Sequence, residues 1–153
     1  MNKFGYARFT PVQVAALWLL ASISGCGSKV PFSIVPVHGK VAYEDGSLIP
    51  ADSILLTFNP IHEGEKGKMA APGGQTNVNV QDGTFSAVSS HRANDGLAVG
   101  RHKVVVVSFK KGADGKSGPS AAVPAAYRSE SSTPLEIEVA SSDQFLELKI
   151  SKK

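Results

Sequence analysis

The stretch VPVHGKVAY, Val35 to Tyr43, decides the fold. Val35, Val37, Gly39, Val41 and Tyr43 recur at every second position, which sets them on one side of an extended chain and makes a half-buried strand. The same period returns downstream. SILLTFNP places Ile54, Leu56 and Phe58 on one face and stops at Pro60. QTNVNVQDGTFSAVS reads as two runs joined through Asp82-Gly83, a hairpin signal, and EDGSLIP carries the turn pair Asp45-Gly46. LAVGRHKVVVVSF turns at Gly100-Arg101 and continues through Val104 to Val107, a β-branched run suited to a central strand. PLEIEVA alternates Leu135, Ile137 and Val139. FLELKIS sets Leu146, Leu148 and Ile150 against Phe145, Glu147 and Lys149.

About seven short strands with turn chemistry between them, and no helical crossover, predict an all-β fold, a single antiparallel β-sandwich. Two stretches rich in small and polar residues, Ile61 to Gly74 and Lys110 to Ala126, read as loops. No disulfide is available, so the apolar core alone must hold the sheets together. Gly46 and Gly83 suit turns that need positive φ, and Pro50 and Pro60 keep strands from extending. Tyr127 is expected to pack across one end, its hydroxyl on a loop carbonyl.

The first 33 residues are of another kind. Lys3 and Arg8 precede VQVAALWLLA, Val12 to Ala21, and no acid occurs before Glu44. A basic segment followed by a short apolar run has the form of a signal peptide. The run falls short of the roughly 20 residues that cross a bilayer. A buried helix of the domain itself would lack the basic flank and the small residues that follow. Cys26, the single cysteine, ends Ile23-Ser24-Gly25-Cys26, which resembles a bacterial lipobox with Ile where Leu is commoner. That resemblance implies lipidation of Cys26, removal of residues 1–25, and a mature protein held to membrane lipid. Plain secretion with cleavage near Ala21 is the alternative, and it would leave a free thiol in an oxidising compartment. By resemblance to lipoprotein sorting in diderm bacteria, Gly27 in place of an aspartate after Cys26 implies an outer-membrane address. The chain thus divides into a signal peptide (1–25), a lipidated cysteine with its tether (26–33) and a β domain (34–153).

The 153-residue composition, 42% apolar and 19% charged, is that of a folded domain. Of its 16 basic side chains, Lys3 and Arg8 lie in the signal, so the remainder nearly balances the 13 acids. Clustered Lys and Arg interleaved with aromatics are missing, which argues against a nucleic-acid partner.

Four segments, in order, carry a family resemblance. VHGKVAYEDGSLIPADSILLTFNP, with Gly39, Val41, Asp45, Gly46, Pro50, Phe58 and Pro60, is followed by DGTFSA and DGLAVGRHKVVVV, and then by VPAAYRSESSTPLEIEVASSDQFLELKI. Together they resemble the transthyretin-like, carboxypeptidase-regulatory-like domains of small planctomycete-type envelope lipoproteins. Pro134 and the Lys110 to Ser120 insert depart from that pattern. The resemblance implies the transthyretin-like sandwich; the function expected for it is a non-enzymatic binding or structural module, with an envelope protein as a candidate partner.

Candidate chemistry is sparse. His38, His62, His91 and His102 show no compact ligand spacing, and the mature domain has no cysteine partner for them. They read as solvated loop or strand-surface residues, with His62, Glu63 and Glu65 able at most to hold a divalent ion weakly. Glu136 and Glu138 share one strand face, and Asp114 lies in a loop. SSHRAND, Ser89 to Asp95, holds Ser, His and Asp within one segment, whereas a nucleophilic triad draws its members from separate elements. APGGQ lacks the lysine and helix of a phosphate loop. The expectation is no catalytic residue, no metal and no cofactor. An accessory carrier of a small ligand remains the alternative function, with a hydrolase a distant third. Loss of Trp18 with the signal would remove the only tryptophan able to stack on a sugar.

Overall fold

A computed structural model describes residues 31–61 and 70–152. The chain divides into units 1–30 and Pro31–Lys153, and the account below concerns the second. Its strands are β1 (Ile34–Val35), β2 (Val37–Tyr43), β3 (Ser53–Pro60), β4 (Gly74–Val78), β5 (Thr84–Phe85), β6 (Leu97–Ala98), β7 (Gly100–Lys111), β8 (Ser117–Pro119), β9 (Glu136–Val139) and β10 (Gln144–Ile150). A 3-10 turn, Ala125–Arg128, is the one helical element among the described residues.

The strands form an all-β sandwich. One sheet has the order β10-β2-β5. The other runs β4-β3-β7, and β7 carries β9 along its first residues and β8 along its last. A two-stranded β1-β6 pair closes one end. Between the sheets lies one cluster, with Val37, Val41, Leu146, Leu148 and Ile150 from the first and Ile54, Leu56, Phe58, Val104 and Val106 from the second. The Phe58 and Phe85 rings meet across it at 6.2 Å. In β2, β3 and β10 the inward positions are those the alternation assigned, and Val104 to Val107 lies in a central strand flanked by β3 and β9.

One pairing departs from the antiparallel expectation. β10 lies parallel to β2, Gln144 opposite Val37 and Ile150 opposite Tyr43. The cause is the turn after β9. β9 ends at Val139 opposite Gly100, and residues 140–143 carry the chain across to the other sheet without reversing it along β9's own edge. The Gln144 side chain clamps this crossing. Its Oε1 accepts from Ala140 N–H (2.8 Å) and its Nε2 donates to the Glu138 carbonyl (3.2 Å). β10 therefore starts where β2 starts. The parallel backbones approach closely at Gly39, where a Cβ would lie 2.1 Å from the Leu146 carbonyl oxygen.

The Asp-Gly pairs build the turns. At Asp82-Gly83, the N–H of Gly83 donates to the Asn79 carbonyl while the N–H of Asn79 donates to that of Thr84. Two residues thus oppose one, a bulge that requires the left-handed backbone Gly83 adopts (φ 78°). Asp45-Gly46 and Asp114-Gly115 close related turns, so Lys110 to Ala126 is not a bare loop as expected. Its first part is a tight β7–β8 hairpin, because Gly112 and Lys116 close a five-residue turn around Gly115.

Strand directions define two ends. At one lie the starts of β1, β2, β7 and β10 and the ends of β3 and β9. At the other lie the Asp45 turn, the Asp82 turn and the β7–β8 hairpin. Residues 120–135 then run back along the outer edge of β7. They are pinned by the Tyr43 hydroxyl, which donates to the Ala122 carbonyl (2.6 Å), and by Tyr127. The Tyr127 hydroxyl accepts from Ser151 N–H (3.0 Å) rather than donating to a loop carbonyl. The expected bond is made by Tyr43, whose ring ends β2 beneath that segment.

Candidate functional site

Three of the four histidines fall within the described residues, and they do not converge. His38 stands on the outer face of β2, its Nδ1 3.4 Å from Asp143 Oδ1 and its ring edge-on to Phe145 at 5.5 Å. His91 is exposed on the 89–95 segment. His102 corrects the expectation of a solvated position. It is 1% exposed, because even-numbered residues of β7 point inward, and its Nδ1 lies 3.1 Å from the Gly100 carbonyl. Sequence reading missed this burial, although the signal was there: His102 shares the parity of Val104 and Val106. Among the described residues no three His, Cys, Asp or Glu side chains group as a metal site. His62, Glu63 and Glu65, like Cys26 and the signal segment, lie outside the described residues.

The Ser89 to Asp95 segment is a folded loop and holds no triad. Asp95 accepts from the N–H of Ser90 (2.8 Å), the hydroxyl of Ser90 (3.0 Å) and the N–H of Arg92 (2.7 Å). Burial raises the Asp95 pKa, but these donors outweigh it and leave the carboxyl below its ordinary value. Asn94 takes a left-handed backbone (φ 58°), and its N–H donates to the Ser89 hydroxyl. Glu136 and Glu138 are exposed on β9, with Glu136 bound to Arg101 at 2.7 Å.

Concavities in the described surface include a larger and a smaller one. The larger, about 330 Å³, follows β4 and the 86–94 segment. The carboxamides of Gln75 and Asn77 stand on one side, two residues apart and so on the same face of β4, with Leu55 behind them. Ser86, Ser89 and Asn94 supply the other side. The Thr76 hydroxyl is committed to the Ala87 carbonyl (2.6 Å), which ties the two walls together. Among the described residues no charged side chain lines the groove. Its chemistry is hydrogen bonding to a neutral polar group.

The smaller concavity, about 210 Å³, lies at the opposite end between Glu44, Asp45, Ser151 and Lys152. Lys152 Nζ reaches Asp45 at 2.5 Å and sits 5.0 Å above the Tyr43 ring. The Lys152 ammonium, then the Ser47 hydroxyl and N–H, hold the Asp45 carboxyl well below the usual carboxylate range. These contacts fasten the C-terminal residues to the β2 turn, a structural task. Among the described residues no helix is long and apolar enough to cross a membrane. Comparison with family models, curated proteins and solved structures returned no match.

Proposed function

We propose that the protein is a lipid-anchored, non-catalytic envelope protein: a transthyretin-like β-sandwich tethered through Cys26 to the outer membrane. The observation that carries the reading is where the folded unit begins. It starts at Pro31 and its first strand at Ile34, a few residues beyond the lipobox-like Ile23-Ser24-Gly25-Cys26. A cysteine so placed has the chain of a tether on one side and a signal-like segment on the other. The four segments of the family resemblance fall in order on β2–β3, the β4–β5 turn, β6–β7 and residues 123–150, which is in keeping with that domain type. The scattered histidines and the surface placement of Glu136 and Glu138 favour a binding or structural role over hydrolysis. Metabolic labelling with a radiolabelled fatty acid tests the anchor. Label is expected in the wild type and lost in Cys26→Ser, whereas equal incorporation in both overturns it.

The groove on β4 favours a second role within the same frame, an accessory carrier of a small neutral ligand. Its uncharged amides and hydroxyls match a polyhydroxylated molecule better than an ion. Calorimetric titration with maltose and cellobiose is expected to give saturable heat that Asn77→Ala abolishes. A flat titration of the wild type with both would overturn this role.

A further inference from the structure

The two ends of the sandwich differ in the apolar surface they expose. Among the described residues three large apolar side chains stand in solvent: Phe145 (58% exposed), Val99 (42%) and Leu48 (37%). The two most exposed lie at the end where residues 31–34 join the fold. Val99 is fastened to that junction, its N–H donating to the Ser33 carbonyl at 2.9 Å. Phe145 is the second residue of β10, beside His38 near the start of β2. Along the outer face of β10 the side chains run Phe145, Glu147, Lys149, apolar at this end and charged away from it. Glu147 and Lys149 pair at 3.2 Å. An isolated exposed apolar residue is ordinary. Two at this end, against Leu48 alone at the other, make it the end that exposes more apolar surface.

From these observations we infer that this end of the sandwich rests on the lipid bilayer, with Phe145 and Val99 seated in its interface. The inference rests on the lipid anchor at Cys26 proposed above. Tether length decides which end can reach. Eight residues, Cys26 to Ser33, span at most about 29 Å when fully extended. The twelve-residue β7 runs the height of the sandwich, about 40 Å at the usual rise per strand residue. An upended domain would hold Ser33 farther from the membrane than the tether allows. The polar groups beside the two apolar side chains carry both acids and bases, Asp143 with His38 next to Phe145 and Glu136 with Arg101 two residues from Val99, so the surface suits zwitterionic lipid rather than a strongly anionic one. Phe is at home in the headgroup region, where its apolar ring can be buried at shallow depth.

The test uses the mature lipoprotein, residues 26–153, purified with its native lipid and reconstituted into protein-free vesicles of phosphatidylcholine brominated on the acyl chains. Phe145→Trp places a fluorophore at the proposed contact, and Leu48→Trp places one at the opposite end. Bromine is expected to quench the Phe145→Trp protein at least twofold more strongly than the Leu48→Trp protein. Trp18 leaves with residues 1–25, so each variant of the lipidated protein carries one tryptophan. Flotation of the same vesicles reads the anchor separately. Flotation with equal quenching in the two variants overturns the docked face and leaves the anchor standing, and it is also the result expected if a protein partner covers Phe145. Loss of flotation in the wild type overturns both.

Discussion

Thr133→Val, three residues before β9, gives the sharpest test of how the second sheet is held. Thr133 is 5% exposed, and its hydroxyl is spliced into the sheet. Val104 N–H donates directly to the Leu135 carbonyl (2.8 Å). The return bond is a relay, in which Leu135 N–H donates to Thr133 Oγ1 (3.2 Å) and Thr133 Oγ1 donates to the Val104 carbonyl (2.6 Å). Valine keeps the shape and gains apolar surface, so transfer alone would make the change neutral or favourable. It also orphans the carbonyl of a fully buried residue, which costs about 1–3 kcal/mol, and removes a second bond worth about 0.5–1.5 kcal/mol. The expected loss is therefore about 2–4 kcal/mol, a large share of the roughly 5–15 kcal/mol that holds a domain of this size. Thr133→Ser keeps the relay and deletes one methyl, a loss of about 1 kcal/mol. Urea unfolding followed by far-UV circular dichroism should rank wild type above Thr133→Ser and Thr133→Ser above Thr133→Val, with unchanged slopes. At an m-value of about 1–3 kcal/mol/M, the valine midpoint falls by roughly 1–3 M. A valine variant as stable as the serine variant, with the same slope, would refute the relay.

Gly39→Ala should destabilise by about 1–3 kcal/mol, since β2 is paired on both edges and cannot give way to a Cβ 2.1 Å from the Leu146 carbonyl oxygen. Gly118→Ala, with nothing within 4 Å of the added atom, serves as the control; equal urea midpoints for the two variants would contradict the close approach. Asp45→Asn should lower the urea midpoint at pH 7, and the gap to wild type should narrow as pH falls. The folded carboxyl sits below its ordinary 3.8, so its contribution is complete above that value and drains away below it, as the unfolded chain takes up a proton that the folded one refuses. A gap as wide at pH 2.5 as at pH 7 would show that Lys152 and Ser47 do not hold the ionised form.

Period-two alternation made the inward faces of β2, β3 and β10 readable, because a pleated strand puts neighbours on opposite sides and one side here is core. In β7 the continuous valine run hid the parity that buries His102. The Asp-Gly pairs likewise marked where the chain turns. Pairing partners were not legible, since alternation is silent on which strand lies alongside which. The parallel β2–β10 contact depends on a Gln144 side chain bridging residues 138 and 140, a bond with no sequence pattern of its own. β8 went unseen because Ser117–Pro119 has no apolar side chain to alternate; its pairing is with the β7 backbone at Phe109, Lys110 and Lys111. The groove was equally hidden. Gln75 and Asn77 read as the polar half of a strand, and only the return of residues 86–94 beside β4 turns that half into a wall.

Phe145 shows how far such reading can go once the inward set is fixed. In FLELKIS the inward residues are Leu146, Leu148 and Ile150, so Phe145 belongs to the outward set with Glu147 and Lys149. An aromatic ring at an outward position breaks the rule the rest of the strand obeys, and burial cannot account for it. Its place in the fold adds the second half of the argument. β10 runs parallel to β2, so its first residues lie at the end where the chain joins the domain, and its charged residues lie away from that end. Had β10 been antiparallel to β2, as in an all-antiparallel sandwich, Phe145 would stand at the opposite end beside the Asp45 turn, beyond the reach of an eight-residue tether. The direction of one strand thus determines whether the exposed ring can meet a membrane at all, and the crossing clamped by Gln144 sets that direction.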